Sequence, residues 1–177
     1  MRAASEEDAP HWVSNGTKHG VKMYVGDGED AAAKGTAHLP FSRYVIRELL
    51  LNLERKREVD SQFDTGRMVQ MYDKRTFVTW FKYKGKVVVS PRDFCNINRW
   101  EIDPPEKGGS LIIAAMSAPH PDCPQVSGCV RANCKIGGWV IKPVRGMRLA
   151  AQHGGRPWPG MMEEDLDAEG CIVTYAV

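Results

Sequence analysis

The sequence lacks any apolar run that approaches the roughly 18 residues needed to cross a bilayer. Its first ten residues, MRAASEEDAP, are polar and do not resemble a signal peptide. It also lacks a charge bias, since 24 Lys and Arg residues against 22 Asp and Glu residues leave a net charge of +2. Nucleic-acid binding usually needs a strong basic excess. These absences predict a cytoplasmic protein with no nucleic-acid partner.

The sequence also contains little that indicates metal, disulfide or covalent chemistry. Five cysteines, an odd number, favour reduced thiols that fill the core over a disulfide framework. His120, Cys123, Cys129 and Cys134 lie close together, but no CxxC pair occurs among them, so zinc is disfavoured. The five histidines fit no nucleophile–base signature, and no glycine-rich phosphate loop is present. We expect no metal, no cofactor and no catalytic residue.

The first regular pattern in the chain is helical. Its 177 residues have the length of one domain. Phe41, Tyr44 and Leu49 recur at helical spacing, which predicts an amphipathic helix over residues 40–52. Residues 52–62 continue in helical composition, and their charged ERKRE run is interpreted as a solvated face.

From Gly66 onward the pattern changes to β-rich runs. Short connections between consecutive strands predict an antiparallel meander, so the fold class is α+β. Residues 1–20 are interpreted as a polar extension before a domain over 21–177, with a mobile insertion at 144–169. The predicted strands span residues 21–25, 31–38, 68–72, 77–83, 92–101, 111–117, 130–141 (with a bulge at Gly137-Gly138) and 171–177.

Five short segments stand in order between residue 20 and the end of the sequence. They are REVD at 57–60, SPRDF at 90–94, SLIIAAMS at 110–117, GCVRA at 128–132 and CIVTY at 171–175. Together they resemble the START family of steroidogenic-acute-regulatory-related lipid-transfer domains. The resemblance implies a helix-grip fold, in which a curved antiparallel sheet surrounds a helix and encloses an apolar tunnel. It also implies binding of one lipid for transfer or sensing, without a covalent step.

Two positions depart from the family pattern. Val59 stands where the family usually has Trp, and we expect it to be a smaller apolar core residue. The sequence ends at Val177, whereas family members continue with a glycine turn and a long C-terminal helix that roofs the tunnel. An uncovered tunnel would expose a large apolar surface, which soluble proteins rarely tolerate. We therefore expect that the lid helix is absent here and that the chain is a fragment.

The resemblance places the head-group end of the tunnel on the strand at 92–101. Several family members carry an Arg at the position of Asn98, where it meets a ligand head group or a buried acid. Because side chains alternate along a strand, Phe94 and Asn96 share the face of Asn98. Arg99 should then point to the other side.

The preceding strand presents a matching face with Thr79, Phe81 and Tyr83. Some family members have an acid near the position of Thr79, so both halves of an ionic pair are replaced by neutral groups. A buried unpaired charge is costly, whereas Asn and Thr exchange hydrogen bonds with a neutral head group. We therefore expect a sterol or ceramide-like lipid. The alternative is that Asn96 and Asn98 satisfy one another or a buried water.

Two further candidates lie on other strands. Tyr175 aligns with a tyrosine that hydrogen-bonds the ligand in ceramide-binding relatives, or it is a core aromatic residue. Met116 shares a face with Ala114, and the sequence does not decide whether that face or the face of Leu111 and Ile113 lines the tunnel. The candidate lipid-binding residues are Thr79, Phe81, Tyr83, Phe94, Asn96, Asn98, Met116 and Tyr175.

A turn between two predicted strands is a candidate for membrane contact. Lys84, Lys86, Val87, Val88 and Val89 lie where family members have an apolar loop that touches the bilayer. Valines beside lysines combine shallow insertion with attraction to anionic head groups. The alternative is a buried strand that continues into the sheet.

Three classes of function follow from these features. The first is a monomeric, peripherally membrane-associated lipid carrier or sensor, with a phospholipid as the alternative to a neutral lipid. The second is a membrane-tethering or regulatory module of a larger protein, in which the lipid acts as a switch. The third is a helix-grip hydrolase, which would need an acid–base pair in the tunnel.

Overall fold

The computed structural model describes residues 12–27, 32–105, 108–144 and 170–176. The predicted insertion at 144–169 lies outside the described residues from position 145 onward, as do the first eleven residues of the predicted extension.

The described part of the chain contains ten strands and two short helices. It divides into two compact units, the first formed by the described residues within 1–48, 101–112 and 138–177 and the second by those within 49–100 and 113–137. No helix among the described residues has the length and hydropathy to span a membrane. The elements are β1 (Trp12–Lys18), β2 (Val21–Gly26), β3 (Ala33–Leu39), α1 (Arg43–Leu51), α2 (Lys56–Val59), β4 (Phe63–Met71), β5 (Thr76–Tyr83), β6 (Arg92–Ile102), β7 (Leu111–Ser117), β8 (Val130–Arg131), β9 (Gly137–Pro143) and β10 (Cys171–Ala176).

The first unit is an antiparallel sheet with the strand order β1-β2-β3-β10-β9. Strand β1 is absent from the sequence predictions, which place these residues in the polar extension. Only Trp12 of this strand is half-buried and the rest is exposed, so no alternation marks it. The turn to β2 has positive φ at both His19 and Gly20, as a two-residue hairpin with right-handed twist requires.

The second unit is built around β4, β5 and β6, which pair antiparallel in chain order. Strand β4 begins five residues before the predicted start at Met68. Its register shifts between Phe63 and Thr65 and again between Met68 and Gln70. These irregularities disturb the alternation of side chains, which explains why the sequence pattern misses the beginning of the strand.

The predicted strand over residues 130–141 is wrong, because it is two separate elements. Strand β8 has two residues and pairs with β6 in parallel, with Asp93 opposite Arg131. Strand β9 begins only at Gly137, so Gly137-Gly138 opens a strand rather than forming a bulge inside one.

The predicted helix over residues 40–52 is confirmed in its central part. Helix α1 follows Ser42, whose hydroxyl accepts a hydrogen bond from the Val45 amide, as an N-cap residue does. Of residues 52–62, only the four residues of α2 are helical. The expectation that Val59 lies in the core is wrong, since its side chain is 55% exposed at the end of this one-turn helix.

Candidate functional site

The register of β5 and β6 separates their side chains into two faces. Thr79 lies opposite Asn96, and Phe81 lies opposite Phe94. Arg99 lies opposite Thr76 on the other side and donates to its hydroxyl at 2.8 Å, as the alternation predicts. We call the first side the polar–aromatic face, and it brings six of the predicted residues together: Thr79, Phe81, Tyr83, Phe94, Asn96 and Asn98.

A hydrogen-bond network connects the polar groups of this face. Asn98 Nδ2 donates to Thr79 Oγ1 at 2.9 Å and to the carbonyl oxygen of Asn96 at 3.0 Å. Ser117 Oγ donates to Asn96 Oδ1 at 3.1 Å. Because a carbonyl oxygen needs a donor, the Asn98 amide must turn its nitrogen toward these partners. The side-chain nitrogen of Asn98 is therefore hydrogen-bonded within the protein, to Thr79 and to Asn96, as the alternative interpretation expects.

The side-chain oxygen of Asn98 differs from the nitrogen in its hydrogen bonding. Within the described part of the chain, no hydrogen bond reaches Asn98 Oδ1, although the residue is half-buried. A carbonyl oxygen that no protein donor reaches is open to a donor from water or from a ligand hydroxyl. Asn98 thus presents an acceptor to an incoming group, and the Thr79 hydroxyl, which accepts from Asn98, keeps its own proton to donate.

Next to this network the face is aromatic. The rings of Phe81 and Phe94 stack with centroids 5.0 Å apart and planes at 17°. Tyr83 meets both rings edge-on at 5.7 and 5.9 Å, and Phe63 of β4 meets Tyr83 edge-on at 6.3 Å. Each such contact adds about 0.5–1.5 kcal/mol beyond area burial. The four rings form a rigid apolar wall.

A lysine that the sequence analysis did not single out lies over this wall. The Lys56 ammonium is 4.8 Å from the ring centre of Phe81 and 5.6 Å from that of Phe63. Burial lowers the pKa of Lys56, and the carboxylate of Asp60 opposes this shift only in part. The interpretation of the ERKRE run as a solvated face is wrong for this residue. Nothing in the run distinguishes Lys56 from its exposed neighbour Arg57.

The remaining two lipid-binding candidates, Met116 and Tyr175, belong to β7 and β10 rather than to β5 or β6. Ser117 points toward Asn96, so its neighbour Met116 points to the opposite side of the strand. There Met116 is half-exposed and lines an open cavity of about 180 Å³, whose lining also includes Ile97, Asn98 and Ile136. Tyr175 belongs to the first unit, where its ring packs on that of Trp139 with centroids 4.4 Å apart.

The predicted membrane-contact turn is an exposed hairpin loop between β5 and β6. Lys86 and Val89 exchange backbone hydrogen bonds of 2.8 and 2.9 Å, which closes a tight turn. Val87 and Val88 at its tip are 105% and 92% exposed, so the alternative of a buried strand is wrong. Gly85 is required below the tip, because a Cβ there would lie 2.9 Å from the Val89 carbonyl oxygen. The remaining predicted residues of the turn, Lys84 and Lys86, are also exposed.

The opposite side of β5 and β6, which we call the covered face, holds a buried ion pair. Asp93 is fully buried, and its carboxylate accepts hydrogen bonds from Arg131 at 2.7 and 3.1 Å and from Trp80 Nε1 at 2.9 Å. Burial alone would raise the pKa of Asp93, but the bonds from Arg131 and Trp80 outweigh it and the pKa lies below its ordinary value. The pair joins the SPRDF segment, which contains Asp93, to the GCVRA segment, which contains Arg131.

A segment without regular structure, residues 118–129, lies on the covered face, and we call it the cover segment. Arg67 donates to the carbonyl oxygen of Asp122 at 2.5 Å, and His120 Nε2 lies 2.7 Å from Gln70 Oε1. Cys123 packs into the core of this unit. Among the described residues, no group of three or more His, Cys, Asp or Glu side chains could hold a metal ion.

Comparison with known proteins places this architecture in a family. The START domain family model matches residues 5–148. A curated relative, the ENHANCED DISEASE RESISTANCE 2-like protein of Arabidopsis thaliana, is 32% identical over 108 residues, or 56% of this chain. The chain spans 14% of the length of that relative.

Solved structures show the same fold. Human STARD10 superposes with a TM-score of 0.72 at 18% identity, covering 96% of this chain and 61% of the other. Human StAR-related lipid transfer protein 5 has a TM-score of 0.70 at 15% identity, covering 96% of this chain and 72% of the other. A fragment of the STAR-related lipid transfer protein of Xanthomonas axonopodis has a TM-score of 0.67 at 17% identity, covering 94% of this chain and 80% of the other. These likenesses confirm the predicted α+β helix-grip fold.

Proposed function

This chain belongs to the START domain family, and from this membership we propose that it binds one lipid molecule without a covalent step. The polar–aromatic face is the proposed contact surface. The wall of Phe63, Phe81, Tyr83 and Phe94 suits the apolar body of a lipid, and the network beside it suits one small polar group.

We propose further that the polar head of the lipid is neutral and donates a hydrogen bond. The observation that carries this proposal is the orientation of Asn98, whose nitrogen is occupied by Thr79 and Asn96 and whose oxygen remains available. A carbonyl oxygen attracts a hydroxyl group and repels a phosphate or carboxylate. This supports a sterol or a ceramide-like lipid over an anionic phospholipid.

A pair of sterols that differ in one hydrogen bond tests the proposal directly. Cholesterol has a hydroxyl donor, whereas its methyl ether keeps the apolar body and has no donor. We expect the protein to bind cholesterol roughly tenfold more tightly than the ether. Loss of one hydrogen bond costs about 1.4 kcal/mol, which corresponds to a factor of about ten in affinity. Asn98→Leu should abolish the difference, and Asn133→Leu, at an exposed position outside the face, should preserve it.

Two results would contradict the neutral-lipid proposal. One is equal affinity of the natural sequence for cholesterol and the ether, together with equal affinity for ceramide and its O-methylated form. The other is much tighter binding of phosphatidic acid or phosphatidylserine than of either neutral lipid. Native mass spectrometry of the purified protein identifies any lipid that remains bound and tests the broader proposal independently.

We propose that the hairpin loop at Val87 and Val88 makes transient contact with a membrane surface. Two almost fully exposed valines beside Lys84 and Lys86 support shallow insertion and attraction to anionic lipids. Val87→Asp with Val88→Asp should abolish binding to liposomes that contain phosphatidylserine. Val59→Asp is the matched control at another exposed valine and should leave binding unchanged. Unchanged binding of the double variant would reject the loop as the contact.

A second candidate function is a lipid-responsive module within a larger protein. The length of the Arabidopsis relative, of which this chain spans 14%, supports it. A transfer assay between donor and acceptor vesicles separates the two functions, because a carrier accelerates lipid movement and a switch module binds without doing so. Hydrolysis is disfavoured, since Thr79, Asn96 and Asn98 are neutral and supply no acid–base pair. The monomeric state and cytoplasmic location stay predictions.

A further inference from the structure

Two thiols meet on the covered face, on the other side of β6 from the proposed lipid contact. Cys95 of β6 and Cys123 of the cover segment are 2% and 4% exposed and belong to one core cluster with Val78. Both thiols therefore lie in the same apolar cluster, which also includes the partly buried side chains of Val69, Trp80 and Ile97. Cys95 lies on the opposite face of β6 from Asn96, so chemistry at this pair does not touch the polar–aromatic face.

The ion pair explains why Cys123 is held above Cys95. Asp93 and Cys95 are two residues apart on one face of β6. The Arg131 guanidinium binds the Asp93 carboxylate and also donates to the carbonyl oxygen of Cys123 at 3.2 and 3.3 Å. One side chain thus positions the cover segment over the strand and brings the second thiol to the first.

We propose that Cys95 and Cys123 are an oxidation site, at which a disulfide fastens the cover segment to β6. The oxidant is a low-molecular-weight disulfide of the glutathione type. The Cys123 thiolate attacks one sulfur of the oxidant and releases one small thiol, forming a mixed disulfide. The Cys95 thiolate then attacks the Cys123 sulfur and releases the second small thiol. The protein loses two hydrogen atoms, which the two released thiols carry.

Access to the pair depends on opening of the cover segment. Burial, together with the neighbouring Cys123 thiol, raises the pKa of Cys95 to about 11, so this thiol stays protonated while the segment is closed. The segment has no regular secondary structure and is fastened largely through side chains such as Arg67 and His120. Such segments open at lower free energy than paired strands. Oxidation should therefore be faster in low urea, below the unfolding transition.

The test uses the whole chain, incubated with oxidised glutathione in low urea or with dithiothreitol as the reduced reference. Peptide mapping by mass spectrometry, after free thiols are blocked, should show Cys95 linked to Cys123. The oxidised protein should melt about 5–10 °C higher, because the bond restricts the unfolded chain. Cys129→Ser and Cys134→Ser, at less buried cysteines, should keep the link, and Cys123→Ser should remove it.

Two outcomes would overturn the proposal. The first is glutathione on Cys129 or Cys134 with Cys95 and Cys123 recovered as free thiols under the same conditions. The second is formation of the link without a rise in melting temperature, which would show that the bond does not fasten the segment. Both measurements are made on the natural sequence, so they do not depend on the folding of a variant.

Discussion

Asp93 and Asn98 lie on the same strand, five residues apart, and represent two opposite ways of placing a polar group inside a protein. On the covered face, Asp93 is fully buried and charged, and Arg131 of the same chain neutralises it. On the polar–aromatic face, Thr79, Asn96 and Asn98 are neutral and leave one oxygen available. Charge is used where the chain itself supplies the partner, and neutral groups stand where we propose that a ligand binds.

The largest expected effect comes from breaking the ion pair of the covered face. Asp93→Asn leaves Arg131 largely buried without its counter-charge and should lower the free energy of unfolding by about 3 kcal/mol. Urea denaturation at neutral pH measures the loss. Asp64→Asn removes the exposed partner of Lys82 and should cost far less. Equal losses in the two variants would contradict the difference between buried and exposed pairs.

A substitution in the aromatic wall of the polar–aromatic face should lower stability less than loss of the ion pair does, and it should lower lipid affinity more. Phe81→Ala removes the stacking partner of Phe94 at a half-buried position, and we expect a loss of about 2 kcal/mol in the free energy of unfolding. Lipid affinity per folded molecule should fall for Phe81→Ala and remain unchanged for Asp93→Asn. The exposed Tyr72→Ala should change neither quantity. Loss of lipid affinity in Asp93→Asn would contradict the separate roles of the two faces.

Acid should weaken the covered face selectively. The folded-state pKa of Asp93 is below its ordinary value of 3.8, so the stability contributed by this group is present above that value and is lost as the pH falls through the folded pKa. The difference in unfolding free energy between the natural sequence and Asp93→Asn should therefore shrink below pH 3.8. A difference that stays constant down to pH 2 would show that Asp93 is not the titrating group.

The smallest expected effect concerns Lys56. Its folded-state pKa is below the ordinary value of 10.5, so the unfolded chain binds the proton more tightly and stability rises as the pH rises through the folded pKa. Lys56→Met should remove this rise and stabilise the protein at neutral pH by up to about 1 kcal/mol. Lys82→Met is the control of opposite sign, because its bond with Asp64 raises the pKa of Lys82. Destabilisation by Lys56→Met would show that the contacts with Phe63 and Phe81 outweigh desolvation.

Several parts of the fold could be predicted because their causes are local. Alternation alone places Thr79 and Phe81 on one face and Arg99 on the other, and β7 spans residues 111–117 as predicted. Strand β1 could not be predicted, because all of it except Trp12 is exposed, so that no alternation marks it, and it lies at the sheet edge beside β2. The predicted strand at 130–141 failed because Arg131 is drawn to Asp93 on another element, which periodicity does not encode.

Short-range spacing and motif order are enough to specify the family, the fold class and the shared face of the six central candidate residues. The packing of elements against one another brings Lys56 over the aromatic rings and sets Met116 on the side of β7 opposite to Ser117. It also brings Cys123 to Cys95. Each of these contacts joins residues from different elements, and it depends on how those elements pack.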